Sequence, residues 1–181
     1  MRGRCVQPRQ LLAFTMHTIY FIKPTAGRLR NALASWQWIG LSDKKPILVT
    51  AFADVFLRSG DGVWFLDTLE GTMRRVCATR RHLDKLLATS EGREVYLRAS
   101  LVERANREAR KLGEGQCYEV RGQPGVGRAY AYDDVERTNF VVSLHIRGQM
   151  HDQLQHHACA APPAPGRQAN GDAASPWWKF W

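Results

Sequence analysis

AFADVFLRSGDGVWFLDTLEGTMRRV, residues 51–76, is the stretch that decides the fold. Phe52, Val55, Phe56 and Leu57 precede Ser59-Gly60-Asp61-Gly62, and Val63, Trp64, Phe65 and Leu66 follow it. Aromatic and β-branched residues on both sides of an Asp-Gly turn predict a β-hairpin. A second turn at Leu69-Glu70-Gly71 leads into Thr72 to Cys77, which extends the hairpin to a meander. The apolar run begins earlier, at Ile47 after Pro46, and its first half suits helix or strand equally.

Helical signals lie on either side. Thr25 can cap a short helix in which Leu29, Leu33 and Trp36 recur at the spacing of one buried face, and Asp43-Lys44-Lys45-Pro46 breaks it. Thr79 offers a second cap, for a helix carrying Leu83, Leu86 and Leu87 and ending near Ser90. From Glu91 to Lys111, Val95, Ala99, Leu101, Val102, Ala105, Ala109 and Leu112 gather on an arc of roughly 160°. One long helix is therefore expected there, with Glu94–Arg98 and Glu103–Arg107 as charge pairs and Gly113 as its terminator. Gly115 to Val120 reads as a short strand, and Ala129 to Tyr132 as a further extended stretch. Asp133 or Asp134 can cap a last helix over Glu136–Gln155, in which Phe140, Leu144 and Gly148 step by four with Val141 and His151 alongside.

The expected fold is thus α+β: a small antiparallel β-meander packed with about four helices, in a single domain of residues 25–156. A basic N-terminal segment, residues 1–24, precedes it, and Met16 offers an alternative start that would leave out residues 1–15. Residues 157–181 are rich in Ala, Pro and Gly and cannot supply a core, so a disordered tail is expected, although it carries Trp177-Trp178-Lys179-Phe180-Trp181.

The net charge of +9 is unevenly distributed. Residues 1–35 hold six basic residues and no acid, residues 157–181 contribute +1, and the body over residues 36–156 carries only +2. A groove for a phosphate backbone needs clustered Lys and Arg on one face of that body, so nucleic acid is an unlikely partner. Cys5, Cys77, Cys117 and Cys159 form no C-x-x-C pair, which argues against a zinc ribbon or a disulfide framework and fits a reducing cytoplasm. Leu11 to Ile22 is too short and too polar for a membrane span.

Each constellation that could carry chemistry has a plainer explanation. Gly122, Gly125 and Gly127 match neither phosphate-loop spacing and read as a turn. His145 and His151 lie six apart, about 240° round a helix, and His156, His157 and Cys159 border the tail, so no metal site is expected. Asp54, Asp61 and Asp67 bracket the hairpin, but Asp61 is explained by its turn and Asp67 by a strand end. Cys117 in an apolar strand reads as packing and not as a nucleophile, while Trp36, Trp38 and Trp64 belong in or beside the core. No catalytic, cofactor-binding or metal-binding residue is assigned, no cofactor is implied, and a non-enzymatic protein is expected.

Several segments, in order, resemble one family. They are Trp36-Gln37-Trp38, the run from Thr50 to Val76, Gly115-Gln116-Cys117-Tyr118, Pro124 to Gly127 leading into Tyr130, and Gly148-Gln149-Met150-His151 with Gln153. Over residues 36–155 the chain is similar to the C-terminal domain of immunity proteins that neutralise DNase effectors of the bacterial type VI secretion system, a domain also found alone. The larger members carry an N-terminal domain related to the GAD domain, and only about 35 residues precede the matching region here. The resemblance implies a cytoplasmic protein that binds a cognate toxin nuclease, and it carries over no partner-binding residue. The alternatives are a nucleic-acid accessory protein using the basic N-terminal segment, or a domain of unrelated role.

Overall fold

The structure is a computed structural model that describes residues 19–120 and 135–160. Five strands form one antiparallel sheet in chain order: β1 (Phe21–Ile22), β2 (Lys45–Thr50), β3 (Val55–Ser59), β4 (Gly62–Asp67) and β5 (Thr72–Cys77). β3 and β4 pair from Val55↔Leu66 to Ser59↔Gly62, which makes Gly60-Asp61 the two-residue loop of the expected hairpin. The ambiguous run before it is strand β2, turned back at residues 51–54.

Alternation explains why this run is apolar at nearly every position. Phe56, Val63 and Phe65 point to one face, where they meet α2 (Arg80–Ala88), α3 (Ser90–Leu97) and α4 (Ala99–Arg107) through Leu83, Leu87, Leu97 and Val102. Val55, Leu57 and Leu66 point to the other, toward α1 (Ala26–Ala32), the 3-10 helix Leu33–Ile39 and α5 (Phe140–Ala160) through Trp36, Phe140 and Leu144. A sheet covered on both faces needs apolar side chains on both, and a clean period of two disappears. Phe56 and Phe65, paired across the hairpin, sit with ring centroids 4.8 Å apart.

The caps expected at Thr25 and Thr79 are present, each accepting a hydrogen bond from the backbone three residues on. Four local readings are corrected. The long helix expected over Glu91–Lys111 is two, α3 and α4, broken at Arg98, whose φ of 49° is left-handed. α4 also ends at Arg107, before Gly113, with Ala109 at φ 57°. The segment after Asp134 opens as strand β7 (Val135–Asn139), paired with β6 (Gln116–Val120), and the Asn139 carboxamide oxygen caps α5 by accepting from Val141 and Val142. α5 then runs to Ala160, beyond the expected start of the tail at residue 157. The glycine-rich turn, the extended stretch at Ala129–Tyr132 and the caps proposed at Asp133 and Asp134 lie outside the described residues.

α5 is clamped by two tryptophans. Trp36 Nε1 donates to the Leu144 carbonyl at 2.8 Å, Trp38 Nε1 donates to the Gly148 carbonyl at 3.2 Å, and the two indoles stack at 5.8 Å. Gly148 is where the helix touches: a Cβ there would lie 2.8 Å from both the Ser35 carbonyl oxygen and Trp36 Nε1. At a free helical position, glycine to alanine stabilises by about 1 kcal/mol. Here the sign should reverse: Gly148→Ala is expected to destabilise by about 1–3 kcal/mol through overpacking, measured by urea unfolding.

Candidate functional site

Three places concentrate chemistry: a buried ionic centre, the outer face of α5 and a cleft beside β1. The ionic centre grows from two turns. Thr50 Oγ1 accepts from the backbone of Phe52 and Asp54, at 3.3 and 3.1 Å, and holds the tight turn in which Ala53 takes a left-handed φ of 69°. That turn aims Asp54 inward, where it is fully buried. Its carboxylate accepts from the Thr68 amide at 2.9 Å, the Thr68 hydroxyl at 3.0 Å and the Arg98 guanidinium. Arg98 also reaches Asp67 at 3.3 Å, and Asp67 in turn accepts from the amides of Leu69 and Glu70, both at 3.1 Å, tightening the β4–β5 turn.

A second guanidinium approaches from α5. Arg147, only 5% exposed, donates to Thr68 Oγ1 at 3.0 Å and to the Phe52 carbonyl at 3.1 Å, and pairs with Glu119 at 3.5 Å. Thr68 thus accepts from Arg147 and donates to Asp54, a polar relay between α5 and the α3–α4 junction. Burial pushes the Asp54 carboxyl up, against the pull of Arg98. His151 lies next along α5: its ring is tilted against Trp36, and its Nε2 lies 3.1 Å from the Leu69 carbonyl, which can only accept, so Nε2 carries the proton. Its imidazole fills the space over Gly71, at φ 64°, where a Cβ would collide with the ring.

Of the weighed acids, the structure brings Asp54 and Asp67 together through Arg98 and leaves Asp61 apart on the hairpin loop. There Ser59 and Trp64 donate to Asp61 and hold its carboxyl below the usual range. His151 is buried while His145 faces outward beside Gln149 at 3.1 Å. Among the described residues no group of three or more His, Cys, Asp or Glu is placed to hold a metal ion. Cys117 is fully buried, and burial pushes its thiol up to about 12, so at neutral pH it is a protonated packing group. Trp36 is core, and Trp38 and Trp64 flank it. Thr68 and Arg147 were not singled out from the sequence; Arg98, expected there to pair with Glu94, meets Asp54 and Asp67, while Glu94 accepts from the Ser100 amide and hydroxyl.

The outer face of α5 exposes apolar side chains beside polar Gln149 and Gln153. Val142, Ile146 and Leu154 are 52%, 57% and 57% exposed, with half-buried Met150 completing a stripe at four-residue steps. A cleft of about 430 Å³ opens between β1, the start of α1 and the loop from α4 to β6, with Phe140 at the start of α5 among its lining residues. Its wall includes Ile19, Phe21, Leu112 and Tyr118, and its polar lining includes Lys23, Arg28 and Lys111.

No family model matches the chain, and no curated protein matches it. Among solved structures it is similar to Atu4351 from Agrobacterium tumefaciens, at 16% identity and a TM-score of 0.42, over 78% of this chain and 75% of that one. No helix among the described residues is long and apolar enough to cross a membrane.

Arg98→Met leaves the Asp54 carboxylate buried without its guanidinium and is expected to cost about 3–5 kcal/mol. Arg98→Met with Asp54→Asn should cost clearly less than the sum of the two single changes, read by urea unfolding of the four proteins. In Arg98→Met the Asp54 carboxyl rises further above its unfolded value, so the folded state binds its proton more tightly. Its stability relative to wild type should therefore improve as pH falls from 8 to 5.

Proposed function

We propose that the protein is an immunity-type binding module that inhibits a toxin nuclease by direct contact through the outer face of α5. The observation that carries this reading is the apolar stripe of Val142, Ile146 and Leu154 on a helix whose inner face is fixed by Trp36, Trp38 and Arg147. Apolar side chains held outward on a rigid helix are a ready anchor for a protein partner, because little order is lost on binding. The family resemblance supplies the kind of partner, a nuclease effector.

The charge distribution favours an apolar contact over mimicry of nucleic acid. The body over residues 36–156 carries +2, and the stripe is bordered by uncharged Gln149 and Gln153. Inhibition would then be steric: the module covers the nuclease active site or a surface its activity needs, over an interface of roughly 1,200–2,000 Å².

Co-expression with a nuclease encoded beside its gene should restore growth, and the two proteins should co-purify. Val142→Glu with Ile146→Glu, both exposed, should leave the fold intact and weaken the complex by about a hundredfold. Undiminished toxicity with no co-purification rejects the immunity reading. Full affinity in the double variant rejects α5 as the surface. Retention on DNA that falls steeply with salt and disappears with residues 1–24 would favour the nucleic-acid reading instead.

A further inference from the structure

We propose that the cleft beside β1 is a binding site for a small organic anion with an apolar body, such as a fatty or aryl carboxylate or phosphate. The inference does not depend on the immunity reading, because the cleft and the α5 stripe use different residues. At about 430 Å³ the cleft falls within the size range of small-ligand sites. Its composition is of two kinds. Ile19, Phe21, Leu112 and Tyr118 supply apolar surface, and the fully buried Phe140 also lines the cleft. Tyr118 keeps its hydroxyl occupied by donating to the Arg110 carbonyl at 2.8 Å, which leaves its ring as a wall.

The cations come from three separate elements. Lys23 follows β1, Arg28 stands on α1, and Lys111 lies in the loop after α4. One acid, Glu114, faces them and meets Arg28 at 3.5 Å; both of those side chains are at least half exposed. Three cations against one carboxylate leave an excess of two positive charges around a cleft whose walls are partly apolar. A neutral apolar ligand would leave those charges unused, and a hydrophilic anion would leave the walls uncovered, so an amphipathic anion satisfies both. The chain's own flanking segments have the wrong sign for the site: residues 1–18 carry Arg2, Arg4 and Arg9 with no acid, and residues 161–181 carry a net +1.

Arg28 positions the mouth. Its guanidinium lies over Gly115, at φ 73°, where a Cβ would stand 3.1 Å from Nη1. Gln116 braces the same loop by accepting from the Gly113 amide at 2.8 Å, so the cation-bearing segment is held in place before any ligand arrives.

The test is calorimetric titration of the full chain with decanoate, decyl phosphate and decan-1-ol, below the micellar range of each. Decanoate or decyl phosphate should bind at one site per chain, and decan-1-ol at least about tenfold more weakly; whichever anion binds tighter identifies the head group. Lys23→Glu with Lys111→Glu, both exposed, should keep the unfolding midpoint and weaken the anion by about a hundredfold, one factor of ten per reversed side chain. Leu112→Trp, which fills the cavity, should abolish binding, whereas Val142→Glu with Ile146→Glu should leave it unchanged. Equal affinity for the alcohol and the anions, indifference to the charge reversal, loss of binding in the α5 variant, or no heat up to millimolar ligand would overturn the assignment.

Discussion

The bond on which the rest of the molecule depends is the buried ion pair of Asp54 with Arg98. Asp54 is fully buried, and a carboxylate there is tolerable only if its oxygens are filled. Thr68 and Arg98 fill them. The geometry this requires is costly. Ala53 must adopt a left-handed turn to aim Asp54 inward, and Arg98 must take a left-handed conformation between two helices to reach it. Each such residue costs about 1–2 kcal/mol. A bulky residue with positive φ persists only where its surroundings over-determine it, and here the two acids at its guanidinium do so.

The same centre joins elements distant in sequence. Thr68 passes the contact on to Arg147, so α5 is tied to the sheet by a polar relay on one side and by the Trp36 and Trp38 indoles on the other. This explains what a scattered set of residues does. Trp36, Trp38, Gly148 and His151 dock α5, Asp67 and Gly71 shape the β4–β5 turn, and Cys117 fills the core between them. They build a scaffold. The candidate contact surfaces lie elsewhere, on the outer face of α5 and in the cleft beside β1.

That division explains what was legible in the sequence. The hairpin was, because an Asp-Gly turn between apolar runs is a local signal, although the two-residue loop falls one position earlier, at Gly60-Asp61. The breaks at Arg98 and before Phe140 were not. The periodic apolar residues of 95–105 run straight through Arg98, where a tertiary contact with Asp54 and the local bonds of Glu94 to Ser100 hold the break. One signal was present and unused: Arg147 sits on the inner face of α5 between Leu144 and His151, and a charge on a buried face calls for a partner. The cleft gives no local signal, because Lys23, Arg28 and Lys111 meet only when α4 and β6 pack beside β1.

If the ionic centre couples the two sides of the sheet, α4, β4 and α5 should open as one unit. Native-state hydrogen exchange in low urea measures this directly. The amides of Val102, Leu66 and Leu144 are predicted to share one opening free energy, equal to that of global unfolding. A distinctly lower value for Val102 or Leu144, with Leu66 still protected, would contradict the account.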